Sequence, residues 1–142
     1  MYRKQLLLLI SLLVLSVCSA KDKNGQNIYG IGFYNLENLF DTCHDEGKND
    51  YEFLAEGSFK WTGEKYKAKL NNMARVLAEM GTDKLPGIGC AAIGVAEVEN
   101  AKCLVDLCNQ PVLKARNIQF VHVEGPDKRG IDCALLYNPQ IS

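Results

Sequence analysis

The sequence predicts one mixed α+β domain, and three observations carry that expectation. Apolar residues recur at two periods along the chain, the two-residue alternation of strands and the three-to-four-residue spacing of helices. These patterns follow one another in the order strand, helix, strand, helix, strand, strand. A length of 142 residues with 47% hydrophobic content suits one globular core and argues against disorder.

The N-terminus stands apart from that core. Arg3 and Lys4 precede an apolar run from Leu6 to Val17, and Cys18-Ser19-Ala20 separates the run from polar Lys21. This is the layout of a signal peptide over residues 1–20. The run is about a dozen residues, short of the roughly 20 that span a bilayer, so a permanent transmembrane helix is not expected. Two processing modes compete. Cys18-Ser19-Ala20 resembles a small-residue cleavage site, whereas Leu15-Ser16-Val17-Cys18 resembles a bacterial lipobox that would lipidate Cys18 and anchor the protein to the membrane. Val17 is unusual before a lipobox cysteine, which favours secretion to the periplasm or the medium.

Cleavage after Ala20 takes Arg3 and Lys4 from 16 basic residues and nothing from 17 acidic ones, leaving 14 against 17. That balance is no electrostatic footprint for a dedicated nucleic-acid binder. It leaves small phosphorylated or lipid-derived substrates open. Of the six cysteines, Cys18 falls in the leader, and the remaining five cannot all pair. Cys90 and Cys133 sit in apolar runs and read as small buried hydrophobes. No CxxC or Cys/His spacing suggests zinc. A Cys103–Cys108 bridge is disfavoured, because five residues along one helix separate the two faces.

Residues 21–27 are polar and read as a flexible lead-in to the domain at 28–142. Ile28 to Tyr34 alternates as a first strand, with Gly30 and Gly32 marking close backbone approach. Residues 41–60 hold many acids and read as an irregular surface loop. They lack the alternating oxygen ligands and closing glutamate of an EF-hand, so calcium binding there is not expected. From Thr62 the pattern is helical: Tyr66, Leu70, Met73, Leu77 and Met80 fall on one stripe. Thr62 is the expected N-cap, with Glu64 in the first turn and Gly81 at the stop.

Residues 87–92, GIGCAA, fit a G-x-G-x-x-A dinucleotide pattern. That fingerprint needs a strand before it and a helix after it, and here the order is reversed. The next run, Ile93 to Asn100, IGVAEVEN, is an apolar strand ending in two acids. Asn100 then caps a short helix from Ala101 to about Asn109, burying Leu104 and Leu107, and Pro111 ends it. Ile118 to Val123 reads as a strand, Gly125 to Gly130 as a charged turn, and Ile131 to Tyr137 as a buried strand.

Two of these strand ends carry the candidate chemistry. The oxygen of an asparagine amide and the carboxylate of a glutamate are hard ligands, suited to magnesium, manganese or calcium. Held at neighbouring strand ends, Asn35 and Glu97 would share one such ion. Taken residue by residue, Asn35 also reads as a turn residue and Glu97 as a surface acid.

The combination is more specific than its parts. FYNLENLFD, FKWTGEKYKAKLNNMARVLAEMG, IGVAEVEN and DKRGIDCALLY resemble, in order, the N-terminal half of the endonuclease/exonuclease/phosphatase family. The resemblance covers nearly all of residues 28–139 and is nearest to the exported bacterial branch of a superfamily that includes DNase I-like nucleases, sphingomyelinases and inositol-phosphate phosphatases. It implies a four-layered α/β/β/α sandwich, of which this chain supplies about the first half, with a metal-dependent site at one edge of the paired sheets. It also implies that Asn35 and Glu97 are metal ligands in a phosphoesterase acting on nucleic acid, phospholipid or a small phosphorylated molecule. Glu99 and Asn100 complete the branch's EVEN sequence, and Ala96 stands where relatives commonly carry glutamine or cysteine.

Arg129 and Asp132 resemble the branch's RGID element, in which a guanidinium would grip phosphate and Asp132 would orient it. An equal alternative has Arg129 capping a turn that Gly130 permits. The family's histidine-bearing segment, Asp-x-Asn motif and terminal Asp-His pair have no counterpart after Tyr137, and neither His44 nor His122 matches the catalytic histidine. The expectation is therefore half a site, on a sheet lacking its packing partner and prone to poor solubility. A noncatalytic exported or lipid-anchored binding remnant is the alternative.

Overall fold

The computed structural model describes residues 20–141. The expected leader, including Cys18, lies outside the described residues apart from Ala20. The polar stretch at 21–27 carries a small hairpin in which β1 (Ala20–Lys21) pairs antiparallel with β2 (Asn27–Ile28). Asp22 closes its turn, with Oδ1 accepting from the backbone N–H groups of Asn24 and Gln26, each at 2.8 Å.

The main sheet has four strands: β3 (Gly30–Leu39), β4 (Cys90–Val98), β5 (Gln119–His122) and β6 (Asp132–Tyr137), in the order β3-β4-β6-β5. β3 and β4 run parallel, and β6 is antiparallel to both β4 and β5. The parallel pair requires a crossover, and α1 (Gly63–Glu79) supplies it. Thr62 caps that helix as expected, its side chain accepting from the Lys65 N–H at 3.4 Å. Gly81 follows the helix at φ +75°, a conformation glycine adopts without strain.

After β4, α2 (Ala101–Cys108) starts at Asn100, whose Oδ1 accepts from the Cys103 N–H at 3.0 Å. Pro111 does not simply end the helical segment. It occupies the first turn of a further short helix, α3 (Pro111–Lys114), where its missing N–H costs nothing. The segment 87–92 precedes and enters a strand, so it does not open a helix as a dinucleotide fingerprint would.

All three helices pack on one face of the sheet. Tyr66, Leu70, Ala74 and Leu77 of α1 meet Cys103, Leu104 and Leu107 of α2 over Leu36, Ile93, Val95, Val98 and Leu136 of the strands. The opposite face is uncovered among the described residues. Phe33, Gly94, Leu135 and Val121 stand in register across β3, β4, β6 and β5. Phe33 is 67% exposed and Ile31 82%. Cys133, expected to be buried, is exposed because strand alternation turns it to this bare side, whereas Cys90 is buried as expected. The described residues thus form a mixed α/β arrangement of one helical layer and one main sheet, and the second sheet of a four-layered sandwich is not formed among them.

Candidate metal centre

Asn35 and Glu97 meet although 62 residues separate them: Asn35 Nδ2 donates to Glu97 Oε1 at 3.0 Å. The contact depends on two departures from regular strand pairing. Across β4 and β6, Ala96 pairs with Cys133 and Val98 with Asp132, so Glu97 is the extra residue of a bulge, at φ +61°. The bulge turns Glu97 toward Asn35 and returns Val98 to the core, where it is fully buried. Across β3 and β4 the pairing jumps from Asn35–Ala96 to Leu39–Val98, with Glu37 at φ +52° and Asn38 at φ +60°. That looped segment brings the Asn38 N–H to Glu97 Oε2 at 3.1 Å and the Glu37 N–H to Asn35 Oδ1 at 2.7 Å.

The donor set fits a hard cation. Asn35 is exposed and Glu97 half-buried; the Asn35 amide turns Nδ2 to Glu97 and Oδ1 to the Glu37 N–H, so a rotation of the amide brings its oxygen to the Glu97 side. Asn35 Oδ1 keeps a second lone pair beyond the one used by Glu37. Two oxygens from side chains leave further positions of a six-coordinate ion to water or a phosphate, the usual arrangement for magnesium.

Lys69 is a neighbour the sequence did not single out. It lies on α1, yet its Nζ donates to the carbonyl oxygens of Glu37 and Asn38 and lies 5.7 Å from the centre of the Trp61 ring. Burial lowers the pKa of this amine, against the opposing influence of Glu37 and Glu97. The spacing of Lys69 on the helix looks like that of any solvated lysine, so no local signal marks it. Its role emerges only when α1 is laid beside the looped end of β3.

The RGID element does not pair with itself. Arg129 is held by Asp127, Nε to Oδ1 at 3.4 Å and Nη2 to Oδ2 at 3.3 Å. Asp132 instead accepts from the Gly125 N–H at 2.7 Å and pairs with His122 Nε2 at 3.0 Å. The expectation that Asp132 orients Arg129 is therefore corrected: alternation in β6 turns Asp132 into the buried side, where His122 meets it. Gly130 at φ +85° permits the turn, in line with the turn-forming alternative for Arg129. The exposed Arg129 also lines a hollow of about 310 Å³ with Asn38, the residue whose N–H holds Glu97. A larger hollow of about 630 Å³ runs from Glu97 past Ala96, Glu124, Pro126, Asp132 and Cys133. His44 is paired through Nδ1 to buried Asp50 and stacks on Tyr51.

The second acid of IGVAEVEN lies inside the protein. Glu99 is 3% exposed, and its Oε2 accepts from the Asp41 N–H at 2.7 Å. Burial pushes its pKa up to about 7, against the lowering effect of that hydrogen bond. Two residues of sequence thus separate a carboxylate at the open strand end from one in the core.

The family model described as endonuclease/exonuclease/phosphatase family matches residues 30–142. No curated protein and no solved structure matches the chain.

Proposed function

The chain belongs to the endonuclease/exonuclease/phosphatase family, and from that premise we propose that it is the N-terminal part of an exported, divalent-metal-dependent phosphoesterase. The observation that carries the proposal is the Asn35–Glu97 pair, assembled from two strand ends by two irregularities at the open edge of the sheet. Asn35 and Glu97 would hold a magnesium ion, with manganese or calcium as alternatives. When bound, such an ion supplies positive charge to a phosphoryl oxygen as water attacks. Backbone N–H groups of Glu37 and Asn38 fix the two side chains, and Lys69 fixes that backbone in turn. Arg129, on the hollow beside Asn38, grips the phosphate of a diester or monoester. Asp132 serves the substrate side indirectly, by shaping the turn that carries Arg129. The bare face of the sheet supports packing against a second sheet, as in the four-layered sandwich of this family.

Substituting Glu97→Gln in an active, full-length form should lower metal-dependent kcat/KM on a phosphoester panel by roughly 10³-fold, the several kcal/mol a Lewis-acidic ion contributes. Unchanged activity would overturn the assignment. One observation favours a second reading, a noncatalytic binding remnant, exported or anchored through Cys18. Both histidines bond aspartates, His44 to Asp50 and His122 to Asp132, and neither hydrogen-bonds Asn35 or Glu97, so no general base is placed at the pair among the described residues. Metal binding without hydrolysis on any substrate in the panel would select that reading.

A further inference from the structure

A second group of ligand-type side chains lies behind the Asn35–Glu97 pair. Asp41, Glu99 and Cys103 are 4%, 3% and 0% exposed, and their ligand atoms lie within 4.8 Å of one another. They come from three elements: the loop after β3, the end of β4 and the first turn of α2. Asp41 Oδ1 accepts from the Cys43 N–H at 2.6 Å, and its Oδ2 faces Lys102 Nζ at 3.3 Å. Glu99 Oε2 takes the Asp41 N–H and, at 3.7 Å, the Cys103 thiol. Glu99 Oε1 is buried and has no hydrogen-bond partner.

That oxygen is unsatisfied in either protonation state. An ionised Glu99 leaves it a buried acceptor without a donor, beside the carboxylate of Asp41. A protonated Glu99 leaves a buried hydroxyl without an acceptor. Buried polar atoms in native proteins are nearly always paired, so an orphan of this kind points to a missing partner. The surroundings favour a positive one: Asp41, Asp45 and Asp50 add negative potential at Glu99, and Lys102, which faces Asp41, is more than half exposed.

We propose that Asp41, Glu99 and Cys103 form a buried structural site for a thiophilic divalent ion of the zinc class, separate from the hard-cation site at Asn35 and Glu97. Two carboxylates and a sulfur supply three of the four ligands of a tetrahedral zinc, leaving the fourth position to water, and the sulfur disfavours magnesium and calcium. On binding, the Cys103 S–H proton leaves to solvent and the thiolate sulfur bonds the ion. The ion ties the β3 loop and α2 to the end of β4, which fixes the strand end that presents Glu97.

The test uses the full chain, stripped with chelator and titrated with zinc or with cobalt as a spectroscopic probe. Expected is one equivalent bound with a sulfur-to-cobalt charge-transfer band, together with a rise in Tm on adding zinc. The band should survive E97Q, C43S and C133S and disappear in C103S and E99Q. Circular dichroism establishes that the variants fold, and the wild-type titration decides the matter even if one does not. Absence of the band in the wild-type protein, or its persistence in C103S, overturns the proposal. So does stoichiometric binding that E97Q removes and C103S leaves intact, which would place the ion at the outer site.

Discussion

The two faces of the main sheet are built from the same four strands and behave as opposites. On one face Ile93 and Leu136 lie in register beneath helices and are almost fully buried; on the other, Phe33, Leu135 and Val121 form an equally apolar row that nothing covers among the described residues. Gly94 sits within that row, and a Cβ there would meet the Phe33 ring at 3.2 Å, so the row is closely set as well as apolar. The lesson is that apolar character alone does not locate the core. The helices do, and the Asn35–Glu97 pair sits where the uncovered side meets the end of the strands.

Thiol labelling sharpens the contrast most. Burial pushes the Cys103 thiol up to about 12, whereas Cys133 lies open on the bare face. From its ordinary value of 9.0, such a rise removes thiolate on the order of 10³-fold near neutral pH. In metal-free protein, iodoacetamide at pH 8 should therefore modify Cys133 and Cys43 long before Cys103, as followed by mass spectrometry. Reactivity of Cys103 should climb as pH approaches its raised pKa. Equal labelling of Cys103 and Cys133 would break the distinction between the faces.

Truncation of the covered side should follow in size. Leu104 is fully buried on α2, and Leu104→Ala should cost about 3 kcal/mol in chemical denaturation through lost burial and a cavity. Next comes Asn100→Ala, which removes the cap of α2 and the bond from Asn100 Nδ2 to Asp45 Oδ2. It should cost about 1 kcal/mol. The smallest effect on stability belongs to the bare face: Phe33→Thr with Leu135→Thr should change it by no more than about 0.5 kcal/mol. The same pair should raise the concentration at which the isolated chain self-associates, measured by light scattering. Unfolding of that double variant would mean that the row is part of a core after all.

Much of this architecture was legible in residue patterns. Helix α1 announced itself by Thr62, its apolar stripe and Gly81, because caps and periodicity are local properties of the chain. Asn100 was readable as a cap for the same reason. Cys133 was misread because the run Cys133-Ala134-Leu135-Leu136 is apolar throughout, and only the register tells which alternate positions face the helices. The partners of Arg129 and Asp132 were misread for a related reason. A sequence neighbour is available to any side chain, but strand alternation sent Asp132 to His122 and left Arg129 with Asp127.

The sequence by itself determined the order of the four main strands and the two longer helices and the caps at Thr62 and Asn100, but not the β1–β2 hairpin, α3 or the continuation of β3 past Asn35 to Leu39. What it determined follows from local propensity and from the ordered motifs. Only the tertiary structure decided that the two side chains touch, that Lys69 braces the loop beneath them, and that Glu97 and Glu99 go separate ways. The physical reason is where the strand breaks and ends: the bulge turns Glu97 to the open edge, whereas Glu99, beyond the last strand residue Val98, is held inside by the Asp41 N–H.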